Sequence, residues 1–155
     1  MPVLSLADAA SLLPVRGALI GLDLGSKTIG VAASDPNRRL AAPVETVSRR
    51  RFRSDAERLL ALASERRAVG FVLGLPLNMD GSEGPRAQAT RAFAGNLAKV
   101  TALPIALWDE RLSTAAVERA LIEADASRRK RKAVIDQHAA AYILQGALDR
   151  LAQGQ

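Results

Sequence analysis

The residues best suited to chemistry in this sequence are carboxylates: Asp23, the neighbours Asp109 and Glu110, and Asp136. Asp23 is set into a nearly continuous apolar run from Ala18 to Leu24, the pattern of a strand covered on both faces. A carboxylate there is costly to bury alone and needs hydrogen-bond donors or a cation. Side chains alternate along a strand, so Asp109 and Glu110 tend to opposite faces, and at most one shares a site with Asp23. Asp136 lies seven residues before Ile143, nearly two helical turns, so the two share a face that is also apolar at Ala140. Three such acids supply the oxygen donors that Mg²⁺ or Mn²⁺ prefers. Two ions about 4 Å apart would activate a water and stabilise the leaving oxygen of a phosphodiester.

Each acid also has a purely structural reading. Asp23 can tie down the turn that follows it, Asp136 can stabilise a helix N-terminus, and Asp109 or Glu110 can pair with Arg111. Lys27, in the turn after Asp23, suits a phosphate contact or is a surface lysine. The single histidine, His138, reads as helix packing or a solvent contact rather than as a ligand.

The elements that must position these residues follow from periodicity. Ala18–Leu24 and Thr28–Ser34 read as strands joined by a turn through Gly25, and Leu40–Val47 as a third strand after the turn at Asp35-Pro36-Asn37. Phe52, Ala56, Leu59, Leu60 and Ala63 fall at helical spacing, predicting a helix over about 50–67. Val69–Leu75 is a short apolar strand. It leads into a loop ending at Pro85, which opens a helix over about 86–101. Pro104–Trp108 is a strand. Ser113 or Thr114 can cap a helix with Val117, Ala120, Leu121 and Ala124 inward. The basic run 126–132 then interrupts, before a last helix from about Val134 to Leu151. Three hairpin-linked strands followed by β-α units imply an α/β fold: a mixed five-stranded sheet with helices on both faces. Ligands of such a sheet bind outside the carboxyl ends of its strands, where Asp23 and Glu110 lie.

Composition narrows the function classes. At 155 residues one domain is expected over 17–151, with 1–16 as an N-terminal extension that carries a short helical turn near Leu6–Leu13 and no assigned role. The absence of cysteine excludes a disulfide framework, a thiolate nucleophile and a zinc ribbon. Aromatic residues are 3% of the chain, too few for binding built on bases stacked over rings. No apolar run has the length of a membrane span and residues 1–16 lack a signal-peptide pattern, so a soluble cytoplasmic protein with no membrane partner is expected. The net charge of +6 favours a polyanionic partner. That charge is concentrated in Arg128, Arg129, Lys130, Arg131 and Lys132 and in Arg49, Arg50, Arg51 and Arg53; the remainder is net acidic. Two basic patches on an acidic body suit a nucleic-acid binder.

Four stretches together are similar to one family. Gly21–Ala32, Gly74–Gly84, Asp109–Thr114 and Ile135–Ala140, in that order, resemble the YqgF/RuvX family, described both as Holliday-junction resolvases and as pre-16S rRNA nucleases. The likeness covers about residues 17–150 and implies a ribonuclease H-like fold. It implies that Asp23, Glu110 and Asp136 are the metal-binding catalytic acids, serving Mg²⁺ or Mn²⁺, as two ions. It also implies that the Gly74–Gly84 loop lies beside the site, with Asn78 and Arg86 as substrate contacts. The run Arg128–Lys132 matches a basic family loop that would neutralise phosphates without reading sequence. The expected substrate is nucleic acid, either precursor rRNA or branched DNA. Monomer and homodimer both stay open, junction resolution favouring a dimer.

Two other classes compete. Asp23–Thr28 resembles the phosphate loop of actin-like ATPases and sugar kinases, but those need two such domains, and the C-terminal half has no second Asp-Gly-rich loop. A non-catalytic nucleic-acid-binding regulator would keep the fold and the basic residues but has no need of the three acids.

Overall fold

The structure, a computed structural model, describes residues 3–112 and 128–154, with the side chains of the last helix described from His138 onward. Six strands form one sheet: β1 (Val3–Ser5), β2 (Ala18–Leu24), β3 (Thr28–Ser34), β4 (Ala41–Ser48), β5 (Ala68–Leu75) and β6 (Ile105–Asp109). Their order is β1-β6-β5-β2-β3-β4. The first four in that order are parallel, and β3 runs antiparallel to both β2 and β4. The helices are α1 (Leu6–Ala10), α2 (Phe52–Glu65), α3 (Pro85–Ala98) and α4 (Arg128–Gln153).

Every residue of β2 is buried, Asp23 included, as its nearly continuous apolar run leads one to expect. Its alternate residues feed two cores. Ile20, Leu22 and Leu24 pack with Phe71, Leu73 and the apolar stripes of α2 and α3, including Leu59, Phe93 and Leu97. Leu19 packs on the other face with Val72, Ala106 and Trp108 beneath Ala140, Ile143, Leu144, Ala147 and Leu148 of α4. Each fully buried Leu, Ile or Phe contributes roughly 1.5–3 kcal/mol, so both faces of β2 are strongly specified. Gly21 sits directly under α4, where a Cβ would lie 2.7 Å from Leu144 Cβ and 3.1 Å from the Ala140 carbonyl oxygen. Gln145 pins α4 to the start of β4: its Oε1 accepts from Ala41 N and its Nε2 donates to the Arg39 carbonyl, both at 2.9 Å.

The α/β class and the helices on both faces are as the sequence leads one to expect; the sheet has six strands rather than five. The sixth is β1, which pairs in parallel with β6, while Leu6 and Ala9 of α1 are buried in the α4-side core. A three-residue strand is too short to show alternation. The last helix already includes Arg128–Lys132, the basic run expected to interrupt before Val134, because lysine and arginine are good helix formers. Pro43 stands within β4, an edge strand whose register shifts beside it. The helix expected after Ser113 or Thr114 lies outside the described residues. Among the described residues no helix is long and apolar enough to cross a membrane.

Candidate active site

Alternation along β2 decides where Asp23 points. Leu19 and Gly21 face α4, Leu22 and Leu24 face α2 and α3, and Asp23 therefore faces α4, with 6% of its surface exposed. Register decides its neighbours. Asp23 pairs with Gly30 of β3, and because Leu22 pairs with Leu73, the next residue beside Asp23 on β5 is Gly74. The buried carboxylate is thus flanked on both adjacent strands by glycine.

The vacancy at Gly74 is used by Glu110. Gly74 pairs with Trp108 and Leu75 with Asp109, after which the chain leaves β6 in a 3-10 turn, Glu110–Leu112. A Cβ at residue 74 would lie 2.7 Å from Glu110 Oε1, 3.0 Å from Glu110 Cγ and 2.6 Å from Ile143 Cδ1. The Glu110 carboxylate accordingly lies over the sheet at the position beside Asp23. The same transverse row continues through Gly30 to Thr46 and through Gly74 to Trp108. Among the described residues, Thr46 Oγ1 and Trp108 Nε1 are buried without a hydrogen-bond partner.

Asp109 takes the other course. By alternation with Trp108 it faces the α2/α3 side, and its carboxylate accepts from Arg111 N at 3.0 Å, Nε at 3.1 Å and Nη2 at 2.7 Å. The Arg111 guanidinium holds this carboxyl below the usual carboxylate range, against the opposing effect of partial burial. Arg111 Nη1 also donates to the Met79 carbonyl at 3.2 Å, tying the Gly74–Gly84 loop to the end of β6. Inside that loop Asn78 N donates to Ser82 O, Asn78 Nδ2 to Ser82 Oγ, and Ser82 N and Oγ both to Asp80 Oδ1. The loop is therefore shaped by its own polar side chains. Asn78, Arg86, Arg111 and Glu110 line a groove of about 440 Å³ beside it.

Two expectations follow from this tie. Arg111→Ala should leave the melting temperature close to that of the wild type, because an exposed ion pair is worth little, while loosening the Gly74–Gly84 loop. Paired melting and hydrogen-exchange measurements check it. Because the Asp109 carboxyl is depressed, the tie is fully present above the ordinary value of 3.8 and is lost only as pH falls through the lower folded value. A pH titration of loop protection by hydrogen exchange should therefore show no loosening between neutral pH and about pH 4.

The other sequence-derived candidates fall as follows. Lys27 lies in the β2–β3 turn and Arg86 in the first turn of α3, and both line a second groove discussed below. His138 is half-buried with its ring 6.2 Å from that of Tyr142, which gives it an aromatic neighbour one turn along the helix. Asp136 and Arg128–Lys132 belong to α4, and their side chains lie outside the described residues. Asp23 and Glu110 are brought together as two acids; among the described residues no group of three or more potential ligands forms. Sequence reasoning missed Gly74, which makes room for Glu110. An isolated glycine in a strand pattern is itself a sign of close approach and points to Gly74.

Comparison with known proteins agrees with this geometry. The sequence model of the family described as "RuvX: Holliday junction resolvase" matches residues 17–150. A protein of Bradyrhizobium sp. strain BTAi1 named "Putative pre-16S rRNA nuclease" is 72% identical over 151 residues, spanning 97% of this chain and 94% of that one. A Rhodopseudomonas palustris strain TIE-1 protein of the same name is 73% identical over 150 residues, again spanning 97% and 94%. Among solved structures, Thermus thermophilus RuvC in complex with a Holliday junction superposes with a TM-score of 0.54 at 13% identity, covering 88% of this chain and 96% of that one. At that identity the likeness is one of fold.

Proposed function

The chain belongs to the RuvX family, and from that premise we propose that it is a metal-dependent nuclease that hydrolyses phosphodiester bonds in the maturation of pre-16S rRNA. The observation that carries the reading is the pairing of Asp23 and Glu110 across Gly74 at the carboxyl end of the parallel strands, beside grooves lined by arginine. Asp136 is the third acid of this reading, carried by its place in the Ile135–Ala140 motif.

The donor set fits a hard divalent cation. It consists of carboxylate oxygens, and the Thr46 hydroxyl, which has no hydrogen-bond partner among the described residues, lies in the same row. Magnesium or manganese, when bound, supplies an activated water and charge neutralisation at the leaving oxygen. The protein's own part is positional. Burial against α4 fixes the Asp23 carboxylate, and the gap at Gly74 admits Glu110 beside it. Arg86 and Lys27 offer cations to the phosphates of the strand, and Arg128–Lys132 add charge that attracts the polyanion without reading sequence. In the reaction the water oxygen gives up a proton as it bonds to phosphorus, the bond to the leaving oxygen breaks, and that oxygen takes up a proton.

A second reading, cutting of a four-way DNA junction, is favoured by the description of the family itself. One experiment separates the two: cleavage of a precursor small-subunit rRNA fragment and of a four-way junction, side by side, with Mg²⁺ and with Mn²⁺. Metal-dependent cutting of the rRNA is the expected result. Cutting of the junction alone would transfer the protein to recombination, and tight binding with no cutting of either would make it a binding protein.

A further inference from the structure

A second groove, of about 460 Å³, lies between the β2–β3 turn and the start of α3. It begins at Leu24 and Gly25, immediately after Asp23, and shares Pro85 and Arg86 with the groove that contains Glu110. The two adjoin at Pro85 and Arg86, one beside Glu110 and the Gly74–Gly84 loop and the other beside the β2–β3 turn. Three cations from three separate segments line the second groove: Lys27, Arg49 and Arg86. No carboxylate is among its lining residues, and among the described residues none of the three cations is in an ion pair.

Arg49 is the informative member. The sequence marks it only as one of a cluster of arginines, yet it is held apart from the others. Its Nη1 donates to the Gly25 carbonyl at 2.7 Å, its backbone N donates to the Lys27 carbonyl at 2.9 Å, and its guanidinium carbon lies 5.8 Å from the centroid of the Phe93 ring. A guanidinium has five N–H donors, and the Gly25 carbonyl takes one. An arginine braced on a turn and a ring is pre-organised, so less rotamer entropy is lost when it engages an anion. Convergent cations without a protein counter-charge repel one another, and a phosphate between them relieves that repulsion.

We propose that this groove holds one backbone phosphate of the substrate strand, gripped by Lys27, Arg49 and Arg86, adjacent along the strand to the phosphate that is cleaved. The inference rests on the nuclease reading for its substrate, an RNA single strand, but its test does not depend on cleavage. Binding of a fluorescein-labelled single-stranded RNA of about 12 nucleotides, near the footprint of a single nucleic-acid-binding domain, is measured without divalent metal across a range of salt concentrations. Each phosphate contact contributes about 0.7 to the slope of log affinity against log salt for a single strand. Lys27→Gln and Arg49→Gln should each weaken binding and lower that slope, by up to about 0.7. Arg49→Lys, which keeps the charge, should keep the slope. Arg66→Gln, the same change of charge at the far end of α2, should leave both affinity and slope as in the wild type. Among the described residues Lys27 makes no side-chain bond, so its variant tests the groove even if Arg49→Gln disturbs the turn. Unchanged slopes in Lys27→Gln and Arg49→Gln, or an equal fall in Arg66→Gln, would overturn the proposal. A protein that shows the slope changes but never cuts RNA would retain the groove and lose the nuclease reading.

Discussion

Asp23→Asn is expected to reduce metal-dependent cleavage by at least about a hundredfold while leaving the melting temperature within a few degrees of the wild type. Loss of a group one shell removed from a metal typically costs about 10–100-fold in activity, and a direct ligand should cost no less. Stability should hold because asparagine has the same shape as aspartate and the position is 94% buried, with 6% exposure remaining. Single-turnover cleavage on the rRNA fragment, with circular-dichroism melts of the same preparation, reads both halves. A variant that cuts at the wild-type rate would remove Asp23 from the chemistry and with it the proposed metal site.

Gly74→Ala should produce the second-largest effect, and by a different route. The added Cβ would stand 2.7 Å from Glu110 Oε1 and 2.6 Å from Ile143 Cδ1. Ile143 is completely buried, so its terminal methyl has no solvent to retreat into. Overpacking of this kind costs about 1–3 kcal/mol, which at about 2–4 °C per kcal/mol for a chain near this size lowers the melting temperature by about 2–12 °C. Glu110 has the freer path, because it begins a 3-10 turn at the edge of a groove, and it should be the group that moves. A displacement of about 1 Å at a reacting centre can cost about a hundredfold in rate. The two consequences separate in the double variant Gly74→Ala with Ile143→Val, which deletes Cδ1. Stability should recover there while cleavage stays low, since the conflict with Glu110 persists. Recovery of both would mean that residue 74 acts through core packing and not through the acid beside it.

Much of the site was legible from local pattern. An acid closing an apolar run, as Asp23 does, announces itself because burial of a lone charge is so unfavourable. The parting of Asp109 from Glu110 follows from the two-residue period of a strand, and the structure finds Asp109 engaged by Arg111 and Glu110 turned toward Gly74. The faces of α2, α3 and α4 were readable for the same reason, their apolar stripes repeating at the helical period. What stayed hidden were features with no repeat. Residues Val3–Ser5 form a strand only because the edge of β6 is there to pair with them. Arg49 looked like any other arginine of its cluster until the turn and Phe93 were folded against it.

The sequence by itself, then, determined which face of each element is apolar, which acids sit at strand ends and where charge accumulates, because periodicity is a property of near neighbours in the chain. The tertiary structure alone decided that Gly74 stands beside Asp23, that Glu110 occupies the gap it leaves, and that Lys27, Arg49 and Arg86 share one groove. Those juxtapositions depend on strand register and crossover. Register is set by the summed packing of residues far apart in the chain, Leu22 against Leu73 and Gly74 against Trp108, and no local spacing encodes it.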